Sequence, residues 1–178
     1  MDPHIFVCPL SQLYRSADAL RPSHVITLID PDTPVETPKG IPPERHLKLS
    51  LHDINDARND HTHPAEDHVH AIIDFVSSWD HASPLLVHCW AGISRSTATA
   101  FLTMCLFNEP GQEAELARQL RRRAPHAHPN RLIVRHADRI LGRQGRMMHA
   151  VEALGPGQVV YEGELFGVPL RPLPPPRD

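Results

Sequence analysis

The chain has 178 residues, 40% of them hydrophobic, which is enough for one domain with a real core and leaves little room for a second. Its formal net charge is −3, from 18 Lys+Arg against 21 Asp+Glu, and this balance argues against nucleic acid as the main partner. There is no apolar run of membrane-spanning length and no basic-plus-apolar N-terminal signal, and the cysteines Cys8, Cys89 and Cys105 form no disulfide framework, so a cytoplasmic monomer is expected.

In chain order, residues 5–7 read as a short strand, and 13–15 as an extension of that edge. Ser16 can cap a short helix over 17–20 that stops before Pro22. Residues 24–29 are β-branched and apolar and predict a buried strand. A proline-rich loop follows over 30–43. Residues 46–51 alternate His-Leu-Lys-Leu-Ser-Leu, the period-two pattern of a half-buried strand, and run into a polar loop over 52–64. Over 65–79 the spacing of Val69, Ile72, Ile73 and Val76 predicts an amphipathic helix.

Residues 85–88 predict the next strand, and 94–107 a helix that is apolar almost all round and belongs in the core. A helix over 112–124 would turn Leu116, Ala117 and Leu120 inward and Arg121, Arg122 and Arg123 outward. Two more helical patterns span 131–141 and 147–154. After residue 155 only 159–161 reads as a strand, and 170–176 as a proline-rich, disordered tail. The expected organisation is a domain over 1–155 with a C-terminal extension over 156–178. The expected fold class is α/β, a central mixed β-sheet of four to five strands flanked by α-helices.

The chemistry concentrates in His88-Cys89-Trp90-Ala91-Gly92-Ile93-Ser94-Arg95-Ser96. An apolar strand, a tight loop and a helix start form the arrangement that holds a phosphate on backbone N–H groups. Arg95 offers a planar fork for two phosphate oxygens. The same positive field, with the helix N-terminus, favours a thiolate at Cys89. Gly92 permits the turn and a close backbone approach. Ser96 can donate to the Cys89 sulfur, and His88 can orient the loop by hydrogen bonds. Trp90 either lines the pocket wall or packs beneath it.

This string resembles the signature of the cysteine-dependent protein tyrosine phosphatases, most closely the dual-specificity branch. Pro129-Asn130 before an apolar helix is similar to an element of that branch, and Leu13-Tyr14-Arg15-Ser16 with residues 24–29 to its opening segment. The likeness spans roughly residues 5 to 141. It implies a phosphatase fold and a two-step reaction through a cysteinyl phosphate on Cys89, without metal or cofactor. The substrate would be a phosphorylated protein or a small phosphomonoester.

The family's general acid is an upstream aspartate at a strand end. Asp53 fits that placement best, Asp56 is the alternative, and Asp60 ranks third. A turn-capping role for Asp53 is the structural alternative. The loop contains no lysine of the kind that lipid-directed relatives carry for extra phosphates. Non-catalytic phospho-binding relatives usually lose the cysteine or the arginine, and both are present. His61, His63, His68 and His70 read as a solvated polar stretch rather than a zinc site, since His68 and His70 lie on different helix faces. Cys105 reads as core packing, and Cys8 as a buried strand-end residue with a redox role as the competing idea.

Overall fold

The computed structural model describes residues 3–57 and 60–172. Its five strands are β1 (His4–Pro9), β2 (His24–Ile29), β3 (His46–Ser50), β4 (Leu85–Cys89) and β5 (Phe166–Pro169), in the order β3-β2-β4-β1-β5. β1 to β4 run parallel and β5 pairs antiparallel with β1, so the sheet is mixed, as expected. The helices are α1 (Leu13–Leu20), α2 (Glu66–Ser77), α3 (Arg95–Leu106), α4 (Glu113–Arg123), α5 (Arg131–Ile140) and α6 (Arg146–Ala153).

Parallel strands are covered on both faces, which is why β2 reads as an unbroken apolar run and is buried throughout. Successive side chains alternate between the faces. Ile5, Val7, Ile26, Leu28, Leu85 and Val87 join the larger core with α2 to α6. Cys8, Val25, Ile29 and Leu86 face a smaller core closed by Leu13 and Ala17 of α1. α3 is buried from Arg95 to Cys105. Its threonines stay satisfied there: the Thr97, Thr99 and Thr103 hydroxyls donate to the carbonyls of Ile93, Arg95 and Thr99 at 2.6, 2.9 and 2.8 Å. Because β1 to β4 are parallel, the loops after Pro9, Ile29, Ser50 and Cys89 open on one edge of the sheet, where α/β folds place ligands.

Three expectations are corrected. Residues 13–15 do not extend a strand but begin α1, since Leu13, Ser16 and Ala17 form a buried i, i+3, i+4 stripe. Val159 and Tyr161 are exposed coil; the last strand is Phe166–Pro169, and Val168 and Leu170 behind it are buried. The backbone N–H of Leu170 donates to Pro3 O at 2.9 Å. β5 pairs the outer edge of β1, so the segment expected as an extension covers a row of backbone groups that would otherwise be open. Its Phe-Gly-Val-Pro sequence is too short for a periodicity signal, and residues 173–176 of the expected tail lie outside the described residues. Third, Arg121 does not point outward: its guanidinium donates to the carbonyls of Ala127, Leu154 and Gly155, each at 3.0 Å. Arg122 and Arg123 are exposed.

A chain of buried polar side chains crosses the smaller-core face of the sheet. Thr27 Oγ1 lies 2.7 Å from both His88 Nε2 and His46 Nε2, and His46 Nδ1 lies 2.9 Å from Thr37 Oγ1. His88 Nδ1 lies 3.3 Å from Cys89 O. A carbonyl can only accept, so one arrangement of hydrogens satisfies every member. His88 Nδ1–H donates to Cys89 O, Thr27 donates to His88 Nε2, His46 Nε2–H donates to Thr27, and Thr37 donates to His46 Nδ1. Both imidazoles are neutral in this arrangement, and burial pulls both down to about 4.

On the far side of the molecule Glu113 and Arg143 form a buried ion pair at 3.1 Å, and Arg143 Nη2 also donates to the carbonyls of Cys105 and, at 3.0 Å, Asn108. Breaking a buried pair leaves an uncompensated charge, at a cost of about 3–5 kcal/mol. Glu113→Ala should therefore lower Tm by roughly 10 °C in a thermal melt. The histidine chain predicts a pH effect. The unfolded chain binds protons near pH 6.5 that folded His46 and His88 refuse until about 4, so stability is full above that window and falls as pH drops through it. Urea midpoints measured from pH 7 to pH 4 should decline, and His88→Gln should flatten that slope.

Candidate active site

The site begins where β4 ends at Cys89 and α3 begins at Arg95. Cys89 is only 2% exposed. The carbonyls of the connecting loop are held from outside it. Leu10 N donates to Trp90 O at 3.0 Å, Gly163 N to Ala91 O at 2.8 Å, His128 N to Ile93 O at 2.9 Å and Asn130 N to Ser94 O at 3.1 Å. The His126 ring also lies close to the loop at Gly92. In a planar trans peptide the N–H points opposite to the C=O. The amides of Ala91, Gly92, Ser94 and Arg95 therefore turn to the inner side of the loop, at the positive end of α3. Such a nest of N–H groups beside Cys89 can hold an anion. Gly92 has φ +67°, and a Cβ there would lie 2.8 Å from Pro9 N and 2.9 Å from Cys8 C, so only glycine fits.

Arg95 is buried beside this nest. Its Nη1 donates to Asp30 Oδ1 at 2.5 Å and to Leu51 O at 2.7 Å. Its Nε is buried and has no hydrogen-bond partner among the described residues. One edge of the guanidinium is thus fixed, and Nε remains to meet an anion. Asp30 Oδ2 also accepts from Trp90 Nε1 at 3.1 Å, which holds the Trp90 indole at the rim, 45% exposed, rather than beneath the loop. Ser96 Oγ lies 3.1 Å from Cys89 Sγ, close enough to donate to it.

Asp53 follows β3 and is exposed. Its Oδ1 accepts from Ser94 Oγ at 2.7 Å and from Asn130 Nδ2 at 2.9 Å. Buried Asn130 joins three parts of the site. Its side chain caps α5 by accepting from Ile133 N at 3.1 Å and donates to Ile54 O at 3.0 Å, while its backbone N–H holds Ser94 O. Asn55 Oδ1 accepts from Arg131 N at 2.8 Å, a second tie between the same loop and α5. These bonds tie Asp53 to the end of the loop at Ser94. Asp56 is exposed farther along the loop, and Asp60 pairs with His61 at 2.9 Å.

The other singled-out residues have different surroundings. Cys8 lies on β1 opposite His88, on the smaller-core face, whereas Cys89 belongs to the larger core. Burial pushes the Cys8 thiol up to about 12, and it pushes Cys105 up as well. His68 Nδ1 accepts from Ala65 N at 3.0 Å at the start of α2, and His61 packs edge-on against His52 with ring centroids 4.9 Å apart. Among the described residues no three His, Cys, Asp or Glu side chains converge as a metal-holding group.

Asp30, Thr27, His46 and His126 carry parts of the site that pattern reading passes over. For Asp30 a signal was present: it directly follows a buried parallel strand, at the sheet edge where ligands bind. Thr27 and His46 could not be paired without the strand register.

No protein-family model matches the chain, and no curated relative matches it by sequence. Solved structures do. The DUSP15 crystal structure superposes with a TM-score of 0.61 at 18% identity, over 84% of this chain and 92% of that one. Human tyrosine phosphatase-like serine/threonine/tyrosine-interacting protein gives 0.59 at 20% identity, over 78% and 91%. PTPMT1 in complex with PI(5)P gives 0.53 at 18% identity, over 80% and 99%. The chain therefore has the fold of the cysteine-dependent phosphatases of the dual-specificity type.

Proposed function

We propose that this protein hydrolyses phosphomonoesters, as a protein-tyrosine or dual-specificity phosphatase, through a cysteinyl-phosphate intermediate. The observation that carries this reading is the inward set of loop amides beside Cys89, flanked by a guanidinium with one edge already anchored. Such a nest neutralises the phosphate dianion that would otherwise repel an anionic nucleophile.

In the first step Cys89 Sγ attacks phosphorus and the P–O bond to the leaving group breaks. Asp53 gives its proton to the departing oxygen, and Arg95 with the amides of Ala91, Gly92, Ser94 and Arg95 holds the equatorial oxygens. In the second step water attacks phosphorus, its proton passes to the Asp53 carboxylate, and the S–P bond breaks. Ser96 donates to the departing sulfur. His88 acts from behind the loop by holding the Cys89 carbonyl. A phosphoinositide substrate is the second reading, favoured by the likeness to PTPMT1, whose structure contains PI(5)P.

Cys89→Ser should abolish release of p-nitrophenol from p-nitrophenyl phosphate while vanadate or phosphate binding survives; undiminished turnover would rule out covalent catalysis. Asp53→Asn should reduce kcat by about 10²–10⁴ for poor leaving groups and much less for p-nitrophenolate. If Asp56→Asn shows that split and Asp53→Asn does not, the acid is Asp56.

A further inference from the structure

The charges around the nest bear on what can carry the phosphoryl group, an inference that rests on the phosphatase reading above. Arg95 supplies the only guanidinium or ammonium within residues 89–96, and Asp30 already offsets it. Its buried, unpartnered Nε and the loop amides suit one phosphoryl group. Nothing in the loop offers a second cation for a second phosphate.

The surroundings carry the opposite sign. Asp32 lies two residues beyond Asp30 in the loop after β2 and is exposed. Asp53 and Asp56 are exposed on the loop after β3. Glu162 is exposed beside Gly163, whose N–H holds Ala91 O, and its Oε1 accepts from Ser11 Oγ at 2.7 Å. The cations near these segments are Arg15, exposed on α1, Lys39, exposed on the loop after β2, Arg123, exposed and lining a cavity with Glu162, and Arg131, engaged with Glu152 at 2.5 Å, while Arg58 of the loop after β3 lies outside the described residues; Asp30, Asp32, Glu36, Asp53, Asp56, Asp60, Glu162 and Glu164 outnumber them. Among these carboxylates the Trp90 indole stands at the rim with its N–H held by Asp30, so the ring is fixed in place. An aromatic face among carboxylates attracts a cation.

We propose that the preferred substrate is a phosphopeptide with Lys or Arg next to the phosphorylated residue, with Trp90, Asp32 and Glu162 as its specificity determinants. A polyanionic phosphomonoester, such as an inositol polyphosphate or a phosphopeptide with acidic flanks, meets repulsion at the rim and finds no second anion site inside.

The test compares otherwise identical phosphotyrosine peptides flanked by Lys or by Glu, with an inositol polyphosphate as a third substrate. In 50 mM salt the Lys-flanked peptide should have about tenfold higher kcat/KM than the Glu-flanked one, and the gap should close in 0.5 M salt. The double variant Asp32→Asn/Glu162→Gln should narrow the gap to about threefold while leaving p-nitrophenyl phosphate turnover unchanged. Equal rates on the two peptides, a preference for Glu flanks, or faster hydrolysis of the inositol polyphosphate would overturn the proposal. Failure of the phosphatase reading would show separately, as absence of p-nitrophenyl phosphate hydrolysis. Calorimetric binding of the same peptides to Cys89→Ser then decides the charge preference without turnover: tighter binding of Lys flanks supports it, and equal or weaker binding overturns it.

Discussion

Four carbonyls of the loop between β4 and α3 are each taken by a backbone amide from elsewhere in the chain. Leu10 holds Trp90, Gly163 holds Ala91, His128 holds Ile93 and Asn130 holds Ser94. Peptide planarity converts those outward carbonyls into inward N–H groups. The nest is therefore not a property of the loop alone. It depends on donors from the end of β1, the segment before α5 and the segment before β5. A free loop with the same sequence could turn any of these peptides over at little cost. Here each flip would break a backbone hydrogen bond and leave its carbonyl and donor without that partner.

The same logic extends to the side chains. Arg95 is aimed by Asp30 and Leu51 O, and Asp30 also sets Trp90. Asp53 is tied to Ser94 and Asn130, so its loop and the nest share partners and are positioned together. Behind the loop, the proton order of the His88–Thr27–His46–Thr37 chain directs the His88 N–H at the Cys89 carbonyl. In the proposed reaction the nucleophile at the end of β4, the anion clamp at the start of α3 and the acid after β3 thus share one connected set of hydrogen bonds.

Much of this was legible in the sequence where the signal is local. The residues from His88 to Ser96 occupy one strand end, one turn and one helix start, so spacing alone predicts which of them meet. Asp53 could be ranked first because the family likeness places the acid at an upstream strand end, and a strand with period-two alternation ends just before Asp53. Asn130 stood out through the family likeness, although its three-way bonding did not. Arg121 was misread because a run of three arginines looks like a wet helix face, and the carbonyls that hold it come from residues 127, 154 and 155. β5 was misplaced because its pairing partner is β1, about 160 residues earlier, and a four-residue strand has no period to detect.

By itself, the sequence determined β2 to β4 and the helices α2 to α6 through hydrophobic periodicity, and the chemical identity of the candidate nucleophile, clamp and acid through one short motif and the family likeness it carries. The tertiary structure decided which way the loop peptides face, which carboxylate aims Arg95, and which distant segments brace the nest. Those features rest on strand register and on hydrogen bonds between residues tens to more than a hundred positions apart. Such bonds form only once the sheet order β3-β2-β4-β1-β5 has brought the strand ends together. Local spacing carries no information about that order.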